Sequence, residues 1–177
     1  CDWAAAGQKH LLVDEIYHGL HYVDDLPSVL ELDQSAFVVN SFSKYFGMTG
    51  WRLGWIVVPQ EHVEMAVILA QNMYISASSI SQYAALAAFT PKARCIFEER
   101  REAFRLRRNF LAGALKSLGF SFADNIQGAF YIYANISKFS DDCEKFCNEM
   151  LENHGVALTP GTDFGDFESK SHVRIAF

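Results

Sequence analysis

No two of the four cysteines (Cys1, Cys95, Cys143 and Cys147) form a CxxC pair. The chain is too large and too apolar to need a disulfide framework, so a reducing cytoplasm is the expected compartment. Basic residues are the minority, 15 against 21 acidic, for a net charge of -6. That balance argues against gripping a phosphate backbone, so no nucleic-acid partner is expected; small molecules or another protein chain fit better. Long apolar runs are missing too: the richest stretch, 63–70, is broken by Glu64 and followed by Gln71 and Asn72. With no signal peptide and no run long enough to span a bilayer, a soluble chain without a membrane partner is expected. Repeats and low-complexity segments are also absent. What remains is a composition half hydrophobic and a fifth charged, which can bury most of its unfolded surface in one domain or two small ones.

The chain opens on Cys1 and stops directly after a strand-like run at 172–177, so a piece truncated at both ends is expected. The run 9–14 (KHLLVD) is short, apolar and closed by a carboxylate, the pattern of a buried parallel strand, and 36–40 (AFVVN) repeats it. A turn at 24–27 and a short helical stretch at 28–32 lie between them. A third apolar run occupies 53–58, and 61–73 reads as a helix apolar nearly all round, hence buried or at an interface. Helices follow at 79–89 and 92–118. In the second of these Phe97, Phe104, Leu111 and Leu118 recur every seven residues, reinforced by Ile96, Ala103 and Phe110. Beyond Gly119 come a strand at 129–134, a helix at 140–154 with Cys143, Phe146, Cys147, Met150 and Leu151 on one stripe and Gly155 placed to end it, a run at 156–159, a loop and the last strand.

Ligands in an open parallel sheet bind at the carboxyl ends of strands, and two such ends here present Asp14-Glu15-Ile16-Tyr17 and Asn40-Ser41-Phe42-Ser43-Lys44. A lysine in that position, once desolvation favours loss of its proton, can condense with an aldehyde. Eight residues on, Arg52 sits in the glycine-rich GMTGWRLG, where a guanidinium fork matches phosphate oxygens. Each residue has a plainer reading when taken alone. Asp14 and Glu15 can cap the turn after a strand, Lys44 can be a surface lysine, and Arg52 can stack on Trp51 or Trp55. Ser43 can bond its own backbone, and Arg174 can be an edge-strand charge. His18 and His21 lack a third ligand at metal-site spacing, so no metal is expected. In the basic run 100–108, acids interleave so that Glu98–Arg101 and Glu102–Arg105 pairs form on a solvated helix face.

Three blocks in order, LLVDEIYHGL, NSFSKYFGMTGWRLGW, and PGTDFG followed by HVRIAF, resemble the fold-type I pyridoxal-phosphate enzymes, most closely the class I aminotransferases of the aspartate and alanine type. The resemblance implies an α/β fold: residues 1–80 as part of the large cofactor-binding domain, 81–118 as connecting helices, and 119–177 as a small α+β C-terminal domain. It implies pyridoxal 5'-phosphate as cofactor, bound as a Schiff base on Lys44, with Asp14 paired to the pyridinium nitrogen and Tyr17 bonded to the 3′ oxygen. Ser41 and Arg52 match phosphate anchors, Ser43 an extra contact, and Arg174 the clamp on the substrate carboxylate. Lys44, Asp14 and Tyr17 are then the catalytic set, the substrates an amino acid and a 2-oxo acid, and the assembly a homodimer. On the same fold the alternatives are β-elimination or decarboxylation, and a non-catalytic effector domain of a transcription regulator. Because the family's phosphate loop, stacking ring and asparagine belong to an N-terminal half, the isolated chain is expected to bind the cofactor weakly and to transaminate nothing.

Overall fold

The computed structural model describes residues 1–177, the side chain of Ala5 excepted. The chain divides into two compact units, Cys1–Arg101 and Glu102–Phe177, and the division falls inside the long helix α4 (Pro91–Leu118).

The first unit begins with a short helix, α1 (Asp2–Ala6), which the apolar pattern does not announce. Its sheet has the order β1 (Leu12–Asp14), β2 (Phe37–Ser41), β3 (Gly54–Val57). The first two strands run parallel, as their matching apolar runs predict, with Asp14 opposite Val39. The ladder continues past β1, since the Glu15 amide donates to the Val39 carbonyl at 2.9 Å. Strand β3 returns antiparallel, with Ser41 opposite Gly54. Between β2 and β3 the chain makes only tight turns, including a 3-10 turn at Thr49–Trp51, and a parallel return would need a longer crossover. Gly54 is obligatory at that crossing, because a Cβ would stand 2.7 Å from the Asn40 carbonyl oxygen.

The stretch 28–32 forms a 3-10 turn, Val29–Glu31, under a reciprocal cap: the Ser28 hydroxyl accepts from Leu30 and the Glu31 carboxylate from the Ser28 amide. Two further helices, α2 (Val63–Tyr74) and α3 (Ser79–Ala88), precede α4. The core of the unit gathers Phe42, Met48, Ala85, Ala88 and Phe97, with Tyr45, Phe46, Leu53, Ala84 and Ala93 packed against it. Burying each aromatic ring of this kind contributes about 1.5–3 kcal/mol. Most of these rings come from the β2–β3 connection, so that connection is anchored by its own side chains.

Of the two readings of 61–73, buried or at an interface, burial within this chain is ruled out, and the stripe read on α4 is corrected as well. No residue of α2 is buried in this chain, and Met65, Val67, Ile68, Leu69 and Met73 are all exposed. A helix apolar on every side can hide only the side it packs. In α4 the seven-residue stripe is buried at Phe97 and half-buried at Phe104 and Leu111, but Leu118 is exposed and Leu115 is buried in its place; Ile96 and Phe110 are exposed as well. A straight helix drifts about 20° per heptad, which carries a strict seven-residue repeat off the packed face within three repeats.

The second unit is a small α+β layer. Strands β4 (Tyr131–Asn135), β5 (Thr159–Pro160) and β6 (His172–Ala176) form an antiparallel sheet in the order β4-β6-β5. Helix α5 (Cys143–His154) packs with it, so that Leu115, Ile132, Ala134, Ile136, Cys143, Cys147, Val173 and Ile175 form one core. The helix starts three residues later than the apolar pattern suggests, because Asp142 takes the N-cap and accepts from the Glu144 and Lys145 amides at 3.1 and 3.0 Å. Gly155 ends it in the left-handed conformation, as predicted. Leu151, placed on its buried stripe, is exposed.

Candidate active site

Asp14 is the last residue of β1 and Ser41 the last of β2, and parallel pairing brings both to the same edge of the sheet. From each strand end the chain turns at once. After β1 the His18 amide donates to the Glu15 carbonyl at 2.8 Å and the Leu20 amide to the Tyr17 carbonyl at 2.9 Å. After β2 the Gly47 amide donates to the Lys44 carbonyl at 3.0 Å. The two turns face each other, with Lys44 Nζ lying 5.5 Å from the centroid of the Tyr17 ring. Asp14 is exposed; its Oδ1 accepts from the Ile16 amide at 2.9 Å, while Oδ2 has no hydrogen-bond partner among the described residues.

Ser41, Ser43 and Arg52 lie along the same connection. The Ser41 Oγ accepts from the Ser43 amide at 3.0 Å and is within reach of Ser43 Oγ at 2.9 Å and the Leu53 carbonyl at 3.2 Å. It is thus the Ser41 hydroxyl, and not that of Ser43 as the plainer reading had it, that bonds the local backbone, and the two hydroxyls are held at one place. Arg52 adopts the left-handed conformation, φ 51 and ψ 51, and its Nη1 donates to the Thr49 carbonyl at 3.0 Å. A non-glycine residue held there costs about 1 kcal/mol or more, and such strain collects at functional sites.

A carboxylate that the motif reading left unassigned stabilises the first turn. Glu15 accepts from the Ser28 hydroxyl at 2.9 and 3.0 Å and from the Val29 amide at 2.8 Å, and it lies 3.4 Å from His18 Nδ1. Its side chain is only 12% exposed. The Glu15 bonds close the loop 15–28, on which Tyr17 rides. The sequence SVLE at 28–31, a capping box, was the one signal that a helical start stood there to receive the carboxylate. Nearby, the His18 and His21 rings meet edge to face at 5.8 Å, and His21 Nδ1 is 2.9 Å from the Val23 carbonyl oxygen. Among the described residues no group of three or more metal-ligating side chains is brought together.

Arg174 belongs to the second unit. It lies on the central strand β6, opposite Tyr133 and Thr159, and its Nη2 donates to Thr159 Oγ1 at 3.2 Å. The guanidinium carbon is 4.9 Å from the Phe164 ring centroid and 5.6 Å from that of Tyr131. A cation set between two aromatic faces is oriented without being neutralised, which leaves its charge for an anionic ligand. Its central place in the sheet rules out the edge-strand reading.

The fold that carries these residues is that of a known family. The aminotransferase class I and II family matches residues 2–177, and the chain belongs to it. Members of this family depend on pyridoxal phosphate. The chain is 39% identical to a valine–pyruvate aminotransferase of Mycobacterium tuberculosis, over 99% of its own length and 46% of that protein's. It is 35% identical to an aspartate/prephenate aminotransferase of Thermus thermophilus, over 95% of its length and 43% of the relative's. The crystal structure of an aminotransferase from Mycobacterium tuberculosis superposes with a TM-score of 0.95 at 39% identity, covering 99% of this chain and 46% of that one. The chain thus spans about half the length of the curated relatives it matches.

Proposed function

We propose that the protein, at the full length of its relatives, transfers an amino group between an amino acid and a 2-oxo acid, using pyridoxal 5'-phosphate held on Lys44. The observation that carries this reading is the approach of Lys44 Nζ to the Tyr17 ring at the sheet edge that Asp14 and Ser41 share. The donor set fits the cofactor: one primary amine, one phenol, a carboxylate with an uncommitted oxygen, two adjacent hydroxyls and a strained arginine all belong to this one unit.

When bound, the cofactor supplies an electron sink for the pair left on the substrate Cα. In this reading the Asp14 carboxylate holds a proton on the ring nitrogen, and the Tyr17 hydroxyl donates to the 3′ oxygen. The Lys44 amine would hold the cofactor and, with the substrate bound, would serve as the base that moves a proton at the substrate Cα. Ser41, Ser43 and Arg52 bind the phosphate, and Arg174 offers its fork to the substrate carboxylate. We place the protein in the cytoplasm as a homodimer, consistent with its four free cysteines and with the exposed apolar face of α2.

Borohydride reduction of the cofactor-treated protein, followed by peptide mass spectrometry, tests the reading. At the relatives' full length the expected result is stoichiometric modification of Lys44, with visible absorbance lost on adding a donor amino acid and restored by an oxo acid. The isolated 177-residue chain is expected to remain largely unmodified at low micromolar cofactor. A full-length protein whose Lys44 stays unmodified overturns the proposal.

A further inference from the structure

Three segments of the first unit are joined by a closed set of contacts that the roles above do not use. Tyr45, the residue after Lys44, donates its hydroxyl to Glu98 Oε1 at 2.6 Å. The other oxygen of Glu98 accepts from Arg101 Nε at 2.7 Å. Arg101 Nη1 in turn donates to the His21 carbonyl at 3.1 Å, on the loop that carries Tyr17. That loop also returns to Tyr45 directly: Gly19, at φ +96, comes so close that a Cβ there would stand 2.6 Å from the ring Cγ. The Tyr45 ring is held from its other sides by Phe46 and Phe97, at 5.2 and 5.4 Å between centroids.

The geometry points to Glu98 as a positioning residue that, through Tyr45 and Arg101, sets the loop bearing Tyr17 against the turn bearing Lys44. This rests on the proposed roles of Lys44 and Tyr17. The carboxylate is the hub because it bridges the phenol and the guanidinium with its two oxygens, and hydrogen bonds to an ionised acceptor are about twice as strong as neutral ones. Without it, Tyr45 and Arg101 are no longer tied together, and the two turns lose a common support. The electrostatics agree. Burial, followed by the Glu98 hydrogen bond and charge, pushes the Tyr45 phenol up to about 12, against the opposing charges of Arg94 and Arg101. Burial works against the Glu98 carboxylate, but hydrogen bonds from Tyr45 and Arg101, with the charges of Arg101 and His21, hold it below its ordinary value. The Glu98 side chain is 49% exposed and that of Arg101 34%, so the pair adds little to global stability and its effect is on local geometry.

The test uses the full-length protein with pyridoxal phosphate and follows the pH midpoint of the bound cofactor's absorbance, alongside the melting temperature of the cofactor-free protein. Glu98→Ala and Tyr45→Phe are each expected to shift the midpoint by about half a pH unit or more. The double variant is expected to shift it no further than either alone, because both break one linkage. Glu98→Gln, whose single oxygen can accept from Tyr45 or from Arg101 but cannot bridge them, is expected to shift the midpoint less than Glu98→Ala without restoring it. Glu102→Ala, which breaks the Glu102–Arg105 pair one turn on, is expected to leave it in place. A wild-type protein with no covalent capture at Lys44 sinks the functional reading and this inference with it. Intact capture with an unmoved midpoint in Glu98→Ala, or additive shifts in the double variant, sinks the positioning role alone. So does a change in melting temperature with no change in midpoint.

Discussion

Lys44 Nζ stands 5.5 Å from the Tyr17 ring centroid although the two residues follow different strands. Parallel pairing of β1 and β2 makes the meeting possible, since only parallel neighbours release their chains at the same sheet edge. The ring and its hydroxyl have separable consequences. Tyr17→Phe keeps the face presented to Lys44 and removes only the phenol oxygen. The expected result is a fall in kcat/KM of about tenfold or more, the size of one hydrogen bond to a charged group, with a loss of stability no larger than about 1.5 kcal/mol. Steady-state kinetics and a urea melt on the same preparation decide it, and an unchanged kcat/KM removes Tyr17 from the mechanism.

Glu15 gives a second, purely conformational prediction. Truncating it in Glu15→Ala deprives the Val29 amide and the Ser28 hydroxyl of their acceptor in a partly buried place. The expected loss is about 1.5–3 kcal/mol. It should be accompanied by faster amide exchange at Val29, read by hydrogen–deuterium exchange. Protection at Val29 equal to that of the wild type would show that the loop is closed by something else.

Two glycines separate strain from clash. Gly155 is left-handed at φ +67 with open space around a built Cβ, so Gly155→Ala is expected to cost only about 1 kcal/mol. Gly161 has an ordinary φ, but its Cβ would lie against the Ser169 carbonyl oxygen, and 2.8 Å from that of His172. Backbone cannot move aside as a side-chain tip can, so Gly161→Ala is expected to cost about 3 kcal/mol or more. Denaturant midpoints that rank the two variants the other way contradict the packing described for the second unit.

The raised Tyr45 phenol makes a pH prediction with a definite sign. Its folded value, pushed up to about 12 by burial and then by Glu98, lies above the ordinary 10.0. The folded chain therefore keeps this proton where the unfolded chain has lost it. The contribution is fully present below pH 10.0 and is lost as pH rises toward about 12. The fall in stability across that window is expected to be shallower in Tyr45→Phe. Equal slopes for the two proteins would mean that the phenol is not held as described.

Much of both units was legible where the signals are local. Apolar runs ending in Asp14 and near Ser41 marked the parallel strands, and Gly155 marked a helix end. The pairs Glu98–Arg101 and Glu102–Arg105 could be read from three-residue spacing, and both form. The stripe on α4 was legible at its start and misleading at its end, because a count of sevens ignores the drift of a real helix. The exposure of α2 was not legible, since an apolar composition states what a helix can bury and not what lies beside it. Of the Tyr45–Glu98–Arg101 linkage only the Glu98–Arg101 half could be read, because Tyr45 lies 53 residues from Glu98 and joins it through space alone.

Residue types and their order settled by themselves which chemical groups this protein has, and the three blocks in sequence settled its family. Only the tertiary structure decided which of those groups meet: that Lys44 faces Tyr17, that Asp14 Oδ1 accepts from the Ile16 amide, and that Arg174 lies against Tyr131 and Phe164. Strand pairing and loop closure set these relationships, and both depend on hydrogen bonds between residues far apart in the chain, which no short window of sequence contains.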